Sequence, residues 1–286
     1  MKLTSIELRS EDSLLRPSKA CVLSFRDPKG DNPYIIMGID GLAADQIIPH
    51  HYSGSGNSSL KYYNLMLQKR EVIIKVALNP SFELNKTYSD LRDELYKMIS
   101  YSRTGLVYIK FKNENDTTAI TKGFITKLDA SSSSNKPEVQ ITILCDDPML
   151  QAPRKTVVDI TGFDPGGTII NDTLSTAPHG FRFGMNFTGL VYNLTISDPT
   201  NPYWEFELAT WQIGGFKDGD VLHFSSYPKD KYLYVARGGT NIHIADSLTF
   251  NSVWPIIFPG ENVFVFNPSP YLNWAFIEYT STYWGI

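Results

Sequence analysis

The chain has 286 residues and a mass of 32.3 kDa, with 42% hydrophobic and 20% charged residues. That balance fits one large or two medium folded domains and excludes an extended disordered chain. A net charge of −4 argues against a general nucleic-acid binder, and no run approaches the roughly 18 apolar residues needed to cross a bilayer. The N-terminus, MKLTSIELRSEDSLLR, has no apolar core and no small-residue cleavage site, so no secretory leader is expected. Cys21 and Cys145 are too few for a disulfide framework or a zinc site. Both lie in apolar strand-like runs, so buried free thiols made in a reducing cytosol are expected.

In chain order, Ala20–Phe25 and Ile35–Ile39 read as short apolar strands. HHYSGSGNSS, 50–59, reads as a flexible Gly/Ser loop and a candidate inter-subunit arm. Tyr62–Asn79 reads as two strands around a polar tip, Gln68-Lys69-Arg70-Glu71, or as one long strand. Tyr88, Leu91, Leu95, Met98 and Ile99 form one apolar helical stripe. Thr87 or Ser89 can cap that helix, Asp90 suits its first turn, and Gly105 follows its end. Strands follow at Leu106–Phe111, Ile120–Leu128 and Val139–Cys145, the last two joined across a hairpin tip at SSSSNKP.

Pro148 and Pro153 then bracket a short connection, which divides the chain into domains at 1–150 and 154–286. The second holds 25 of the 37 aromatics and all five Trp. It carries 7 Lys/Arg against 12 Asp/Glu, whereas residues 1–153 carry 19 against 18. Strands are expected at Lys155–Thr161, Thr168–Asn171, Val191–Ser197 and Trp204–Ala209. Four more follow at Val221–Phe224, Tyr232–Val235, Val263–Phe266 and Trp274–Ile277. Short strands separated by regular turn signals make a β-sandwich.

No chemistry rises from the pattern. Asp218/Asp220 belong to a turn, and Glu205/Glu207 to the solvent face of a strand. His50-His51, His223 and His243 have no ligand spacing, and no nucleophile, phosphate or dinucleotide motif is present. The expected catalytic, metal and cofactor sets are therefore empty, and the chain reads as a non-enzyme. Trp254, Trp274 and Trp284 read as core or interface, while Tyr203, Trp204 and Trp211 are left as a speculative sugar or partner contact.

Two motif sets carry a resemblance. One is YSDLRDELYKMI with the later strand ending in CDDP. The other is the order GD-strand, polar turn, strand, PGEN-strand and a last strand running to YWGI. Together they resemble the distal tail proteins of tailed bacteriophages. The resemblance implies a mainly β chain: an N-terminal split β-barrel with one α-helix, the belt domain, and a C-terminal galectin-like β-sandwich. It implies a homohexameric hub ring in the virion tail tip, assembled in the host bacterial cytoplasm. Implied partners are the tail tube protein, a tail-tip hub protein and receptor-binding or other baseplate proteins. DNA would pass the lumen without specific binding, and no membrane insertion is implied. The alternatives are a lectin-like tail-tip protein contacting the host surface and, third, a hydrolase of cell-wall or exopolysaccharide.

Overall fold

The computed structural model describes residues 3–10, 20–25, 32–43, 47–52, 61–67, 69–82, 86–100, 106–113, 117–130, 137–163, 167–200 and 205–286. The described residues divide into two units, residues 1–153 with 283–286, and residues 154–282.

In the first unit the strands are β1 (Ser5–Ser10), β2 (Cys21–Phe25), β3 (Tyr34–Asp40), β4 (Ile47–Tyr52), β5 (Lys61–Leu67) and β6 (Glu71–Leu78). After helix α1 (Tyr88–Ser100) come β7 (Val107–Lys112), β8 (Thr117–Ala130), β9 (Glu138–Cys145) and β10 (Leu150–Gln151). The order β8-β7-β1-β2-β3-β6-β9 closes through a β8–β9 pairing into a seven-stranded barrel. All its neighbours are antiparallel except β2 and β3. Alternate residues of each strand point inward. Ile6, Leu8, Leu23, Val72, Ile74, Val76, Ile109, Phe111, Ile141 and Ile143 are buried there.

Helix α1 adds Leu91, Leu95 and Ile99 to that core. Thr87 caps it: the Asp90 amide donates to Thr87 Oγ1 at 3.2 Å, and Asp90 Oδ2 accepts from the Thr87 amide at 2.8 Å. This is a reciprocal capping box with Asp in the Glu position. Tyr88 leaves the apolar stripe and is 50% exposed, because it stands in the first turn. Cys21 and Cys145 are buried thiols, and burial pushes the Cys21 thiol up to about 12.

Two expectations change here. His50 and His51 lie in strand β4, which pairs with β5, so the loop cannot begin at 50. Residues 53–60, most of the candidate arm, lie outside the described residues, as do the SSSS tip and Gly105. The two strands expected around 68–71 are present as β5 and β6, but they do not pair with each other: β5 pairs with β4, and β6 with β3 and β9. Arg70 is not a solvated tip either, being 1% exposed.

The second unit holds β11 (Thr156–Ile160), β12 (Thr168–Asp172), β13 (Phe181–Phe187), β14 (Asn193–Ser197), β15 (Glu205–Ala209), β16 (Val221–Ser225), β17 (Tyr232–Arg237), β18 (Thr240–His243), β19 (Gly260–Asn267) and β20 (Leu272–Tyr279). Six of them form one antiparallel sheet, β11-β20-β13-β16-β17-β18, and four another, β12-β19-β14-β15. The closing run of strands is thus shared between two sheets, with β19 in the smaller. Between them Phe183 stacks on Phe266 at 5.7 Å, Phe206 on Phe224 at 4.9 Å, and Phe181 meets Phe264 edge-on at 5.4 Å. Strand β13 lies at the centre of the larger sheet and had not been expected from sequence.

The last strand, β21 (Thr282–Tyr283), pairs with β10, and residues 283–286 belong to the barrel unit. The Ile286 amide donates to the Leu42 carbonyl at 3.1 Å. The chain therefore crosses between units twice.

Candidate functional site

Among the described residues, no group of three or more His, Cys, Asp and Glu side chains is placed to hold a metal ion. No helix among them is long and apolar enough to cross a membrane. Among the described residues, buried polar side chains gather around Arg70, Glu7, Asp172 and Asp220.

In the barrel, Arg70 spreads its guanidinium over backbone carbonyls. Nε donates to Pro148 at 2.6 Å, Nη1 to Gly41 at 2.7 Å and Ala43 at 3.1 Å, and Nη2 to Trp284 at 2.5 Å. Gly41 takes a left-handed φ of 85°, and a Cβ there would stand 1.9 Å from the Glu71 carbonyl oxygen. Only glycine lets that turn come so close. Also in the barrel, Arg9, Lys110 and Lys112 converge on Glu7, whose side chain is 6% exposed. Burial works to raise the Glu7 pKa, but the Lys112 hydrogen bond and the three cations outweigh it and hold it below the usual range. Those basic residues are spent on an internal carboxylate.

In the sandwich, Asp172 accepts from His179 Nε2 at 2.7 Å, from Ser281 Oγ at 2.8 Å, and from Ser175 through both its amide and its hydroxyl. His179 Nδ1 faces the Gly180 carbonyl at 3.0 Å, and Tyr279 stacks on the ring at 5.4 Å. The composition is Ser, His and Asp, yet the connectivity is wrong for nucleophilic catalysis, which needs His between Ser and Asp. Here both serines donate to the carboxylate, and all these side chains are buried. The cluster ties β12 to the turn after it and to the residues after β20.

Burial works to raise the Asp172 pKa, but the hydrogen bonds and the nearby His179 outweigh that and hold it at about 2. A depressed carboxylate stabilises the fold above its unfolded pKa, and that stability is lost as pH falls through the folded value. Asp172→Asn is therefore expected to cost about 2 kcal/mol at pH 6. The difference from wild type should shrink between about pH 4 and pH 2. Denaturation across that range checks this, and a pH-independent gap would contradict it.

The carboxylate pairs weighed from sequence separate. Glu205 is exposed and Glu207 half-buried beside Thr249. Asp218 is exposed, while Asp220 is buried and bound through Nε and Nη2 of Arg237, at 3.0 and 2.6 Å.

Of the three residues offered as a contact, Tyr203 and Trp204 lie outside the described residues. Trp211 opens a short 3-10 turn, Trp211–Ile213, and is 63% exposed. One face of its indole stacks on Tyr192 at 4.1 Å and 10°. Trp254 packs against the sandwich core, as expected, but Trp274 is 36% exposed on the outer face of the larger sheet. Arg70 and His179 were missed in the sequence. Arg70 had a signal, a cation directly preceding a strongly apolar strand, whereas His179 had none.

No protein-family model and no curated protein sequence matches the chain. Among solved structures, the chain is similar to the Dit (gp 19.1) protein of phage SPP1, described as a hub adsorption apparatus in Gram-positive infecting phages. The TM-score is 0.60 at 13% identity, over 97% of this chain and 98% of that one. The chain has the fold of that Dit protein. Two structures of the phage P2 baseplate in its activated conformation, with Ca and with Sr, also align. Their TM-scores are 0.43 and 0.42 at 9% and 10% identity, over 98% and 97% of this chain and 98% of each of theirs. The Dit fold runs through both units, barrel with helix and sandwich alike, and matches the resemblance read in the two sequence motif sets.

Proposed function

We propose that the chain is a structural hub protein of a phage tail. In this reading copies of the barrel unit, as a belt domain, close into a homohexameric ring between the tail tube and the tail tip. The sandwich, taken as galectin-like, carries tail-tip hub, receptor-binding or other baseplate proteins. The observation that carries the reading is the end-to-end match of both units, in order, to a phage hub protein.

The β4–β5 pair supports self-assembly. It pairs with no other strand among the described residues, and a two-stranded ribbon alone is marginal in water. A neighbouring copy would supply further pairing partners for it in a closed ring.

The reading also makes the chain a non-enzyme of the virion tail tip, assembled in the host cytoplasm. The internal use of its ionic clusters supports the first point. Imaging of tail particles tests the assignment. A ring of this protein at the tail tip is expected, and tails that lack it overturn the reading.

The alternative is a lectin-like tail-tip protein contacting the host surface through Tyr203, Trp204 and Trp211. The exposure of Trp211 favours it, although Tyr192 already occupies one face of that ring.

A further inference from the structure

The barrel unit is built from two separate stretches of chain. The first ends at Pro153, the sandwich unit follows as Arg154–Thr282, and Tyr283–Ile286 then return to the barrel.

Three kinds of contact hold the returning residues. Strand β21 pairs with β10, a two-residue strand that meets β8 where Gln151 faces Ile120. Tyr283 and Ile286 pack, partly buried, against the barrel core, as Leu42 does. The third contact is polar and centres on the turn after β3. There the carbonyls of Gly41 and Ala43 accept from Arg70 Nη1, and the Leu42 carbonyl between them accepts from the Ile286 amide at 3.1 Å. Arg70 Nη2 donates in turn to the Trp284 carbonyl at 2.5 Å. Turn, arginine and returning chain thus close one hydrogen-bonded circuit.

A chain segment that merely needs a place to lie would account for Tyr283 and Ile286 against the core. It does not account for the circuit, whose arginine is 1% exposed and whose turn gives three successive carbonyls to it. Without residues 283–286 the Leu42 carbonyl loses the Ile286 amide, the buried guanidinium loses the Trp284 carbonyl, and β10 loses the strand along its edge. The segment is tethered through the sandwich, so its docking is intramolecular and needs little affinity of its own.

We infer that residues 283–286 are a strap that finishes the barrel unit, so that a barrel begun from residues 1–153 stays incomplete until the chain has been made through the sandwich. The consequence for assembly, that copies cannot close into a ring through unfinished barrels, rests on the hub reading. The strap itself does not.

The test compares the full chain with a variant ending at Thr282, by hydrogen exchange and by light scattering. Amides of β3, β6 and β9 are expected to exchange about a hundredfold faster in the shortened chain, while those of β13, β16 and β20 keep their wild-type rates. Ile286→Pro removes the amide donated to Leu42 and keeps an apolar side chain, and about a tenfold rise is expected. Wild-type barrel exchange in the shortened chain overturns the inference. Equal loss of protection in the sandwich overturns it too, because the four residues would then support the whole molecule rather than the barrel. Light scattering separates the two readings. A full chain that stays monomeric counts against the hub and leaves the exchange result to decide the strap. Rings formed equally well by the full and the shortened chain overturn the assembly consequence.

Discussion

Replacing Arg70 by Met is expected to destabilise the barrel unit by about 3–5 kcal/mol, among the largest effects of any single change. The reason is not the lost charge alone. Four carbonyls, of Gly41, Ala43, Pro148 and Trp284, receive the guanidinium at 2.5 to 3.1 Å. Truncation leaves these acceptors facing an apolar side chain at a site that is 1% exposed, and an unmade buried hydrogen bond costs the desolvation of its acceptor. Arg70→Lys keeps the cation but cannot fork toward four acceptors, so it should recover only part of the loss. Four of the five Trp belong to the sandwich unit. Tryptophan fluorescence should therefore move little, while far-UV circular dichroism or hydrogen exchange of barrel amides reports the shift. A wild-type barrel transition in Arg70→Met would show that the carbonyls find other donors.

Phe224→Ala is the sandwich counterpart, with an expected loss of about 3–5 kcal/mol. Phe224 is 0% exposed and touches rings from both sheets: Phe183 at 5.0 Å and Phe181 at 5.4 Å in its own, Phe206 at 4.9 Å in the other. Trp254 lies 6.3 Å away. Removing the ring opens a cavity where the two layers meet, and the surrounding phenyl groups cannot collapse into it without leaving their own contacts. The fluorescence transition should fall, because Trp254 sits against the cavity, while the barrel amides keep their protection. A barrel that lost stability equally would mean that the two units unfold as one, contrary to the independent cores seen here.

How much of this was legible in the sequence depended on the range of the interactions. Helix α1 was readable because a stripe and a cap are local: Leu91, Leu95 and Ile99 recur at helical spacing, with Thr87 and Asp90 at the start. Most barrel strands were readable for the same reason, but β1 (Ser5–Ser10), between β7 and β2, was not expected from the sequence. Strand β13 was not recognised although Phe181, Phe183, Met185 and Phe187 alternate cleanly with Arg182, Gly184 and Asn186. A central glycine and an arginine lower strand propensity, and only the ring of Phe276, from ninety residues on, shows why glycine suits that place. The role of Arg70 was hidden because its acceptors come from four distant backbone positions, one of them near the C-terminus. Sheet membership was equally non-local. Val263–Phe266 and Trp274–Ile277 look alike in sequence, yet β19 and β20 belong to opposite layers. For the candidate site, the aromatic excess was visible, but not which rings share a face. Register decides that: Phe276, His223, Tyr234 and His243 fall in one row, which no sequence pattern shows.

The central claim is that this chain is a ring-forming hub at the end of a phage tail. Cryo-microscopy of intact tails tests it most directly. The account predicts six-fold density at the tail tip into which the seven-stranded barrel fits as the ring wall. Tails in which this protein is absent, or in which it occupies a site other than the junction of tube and tip, would contradict it.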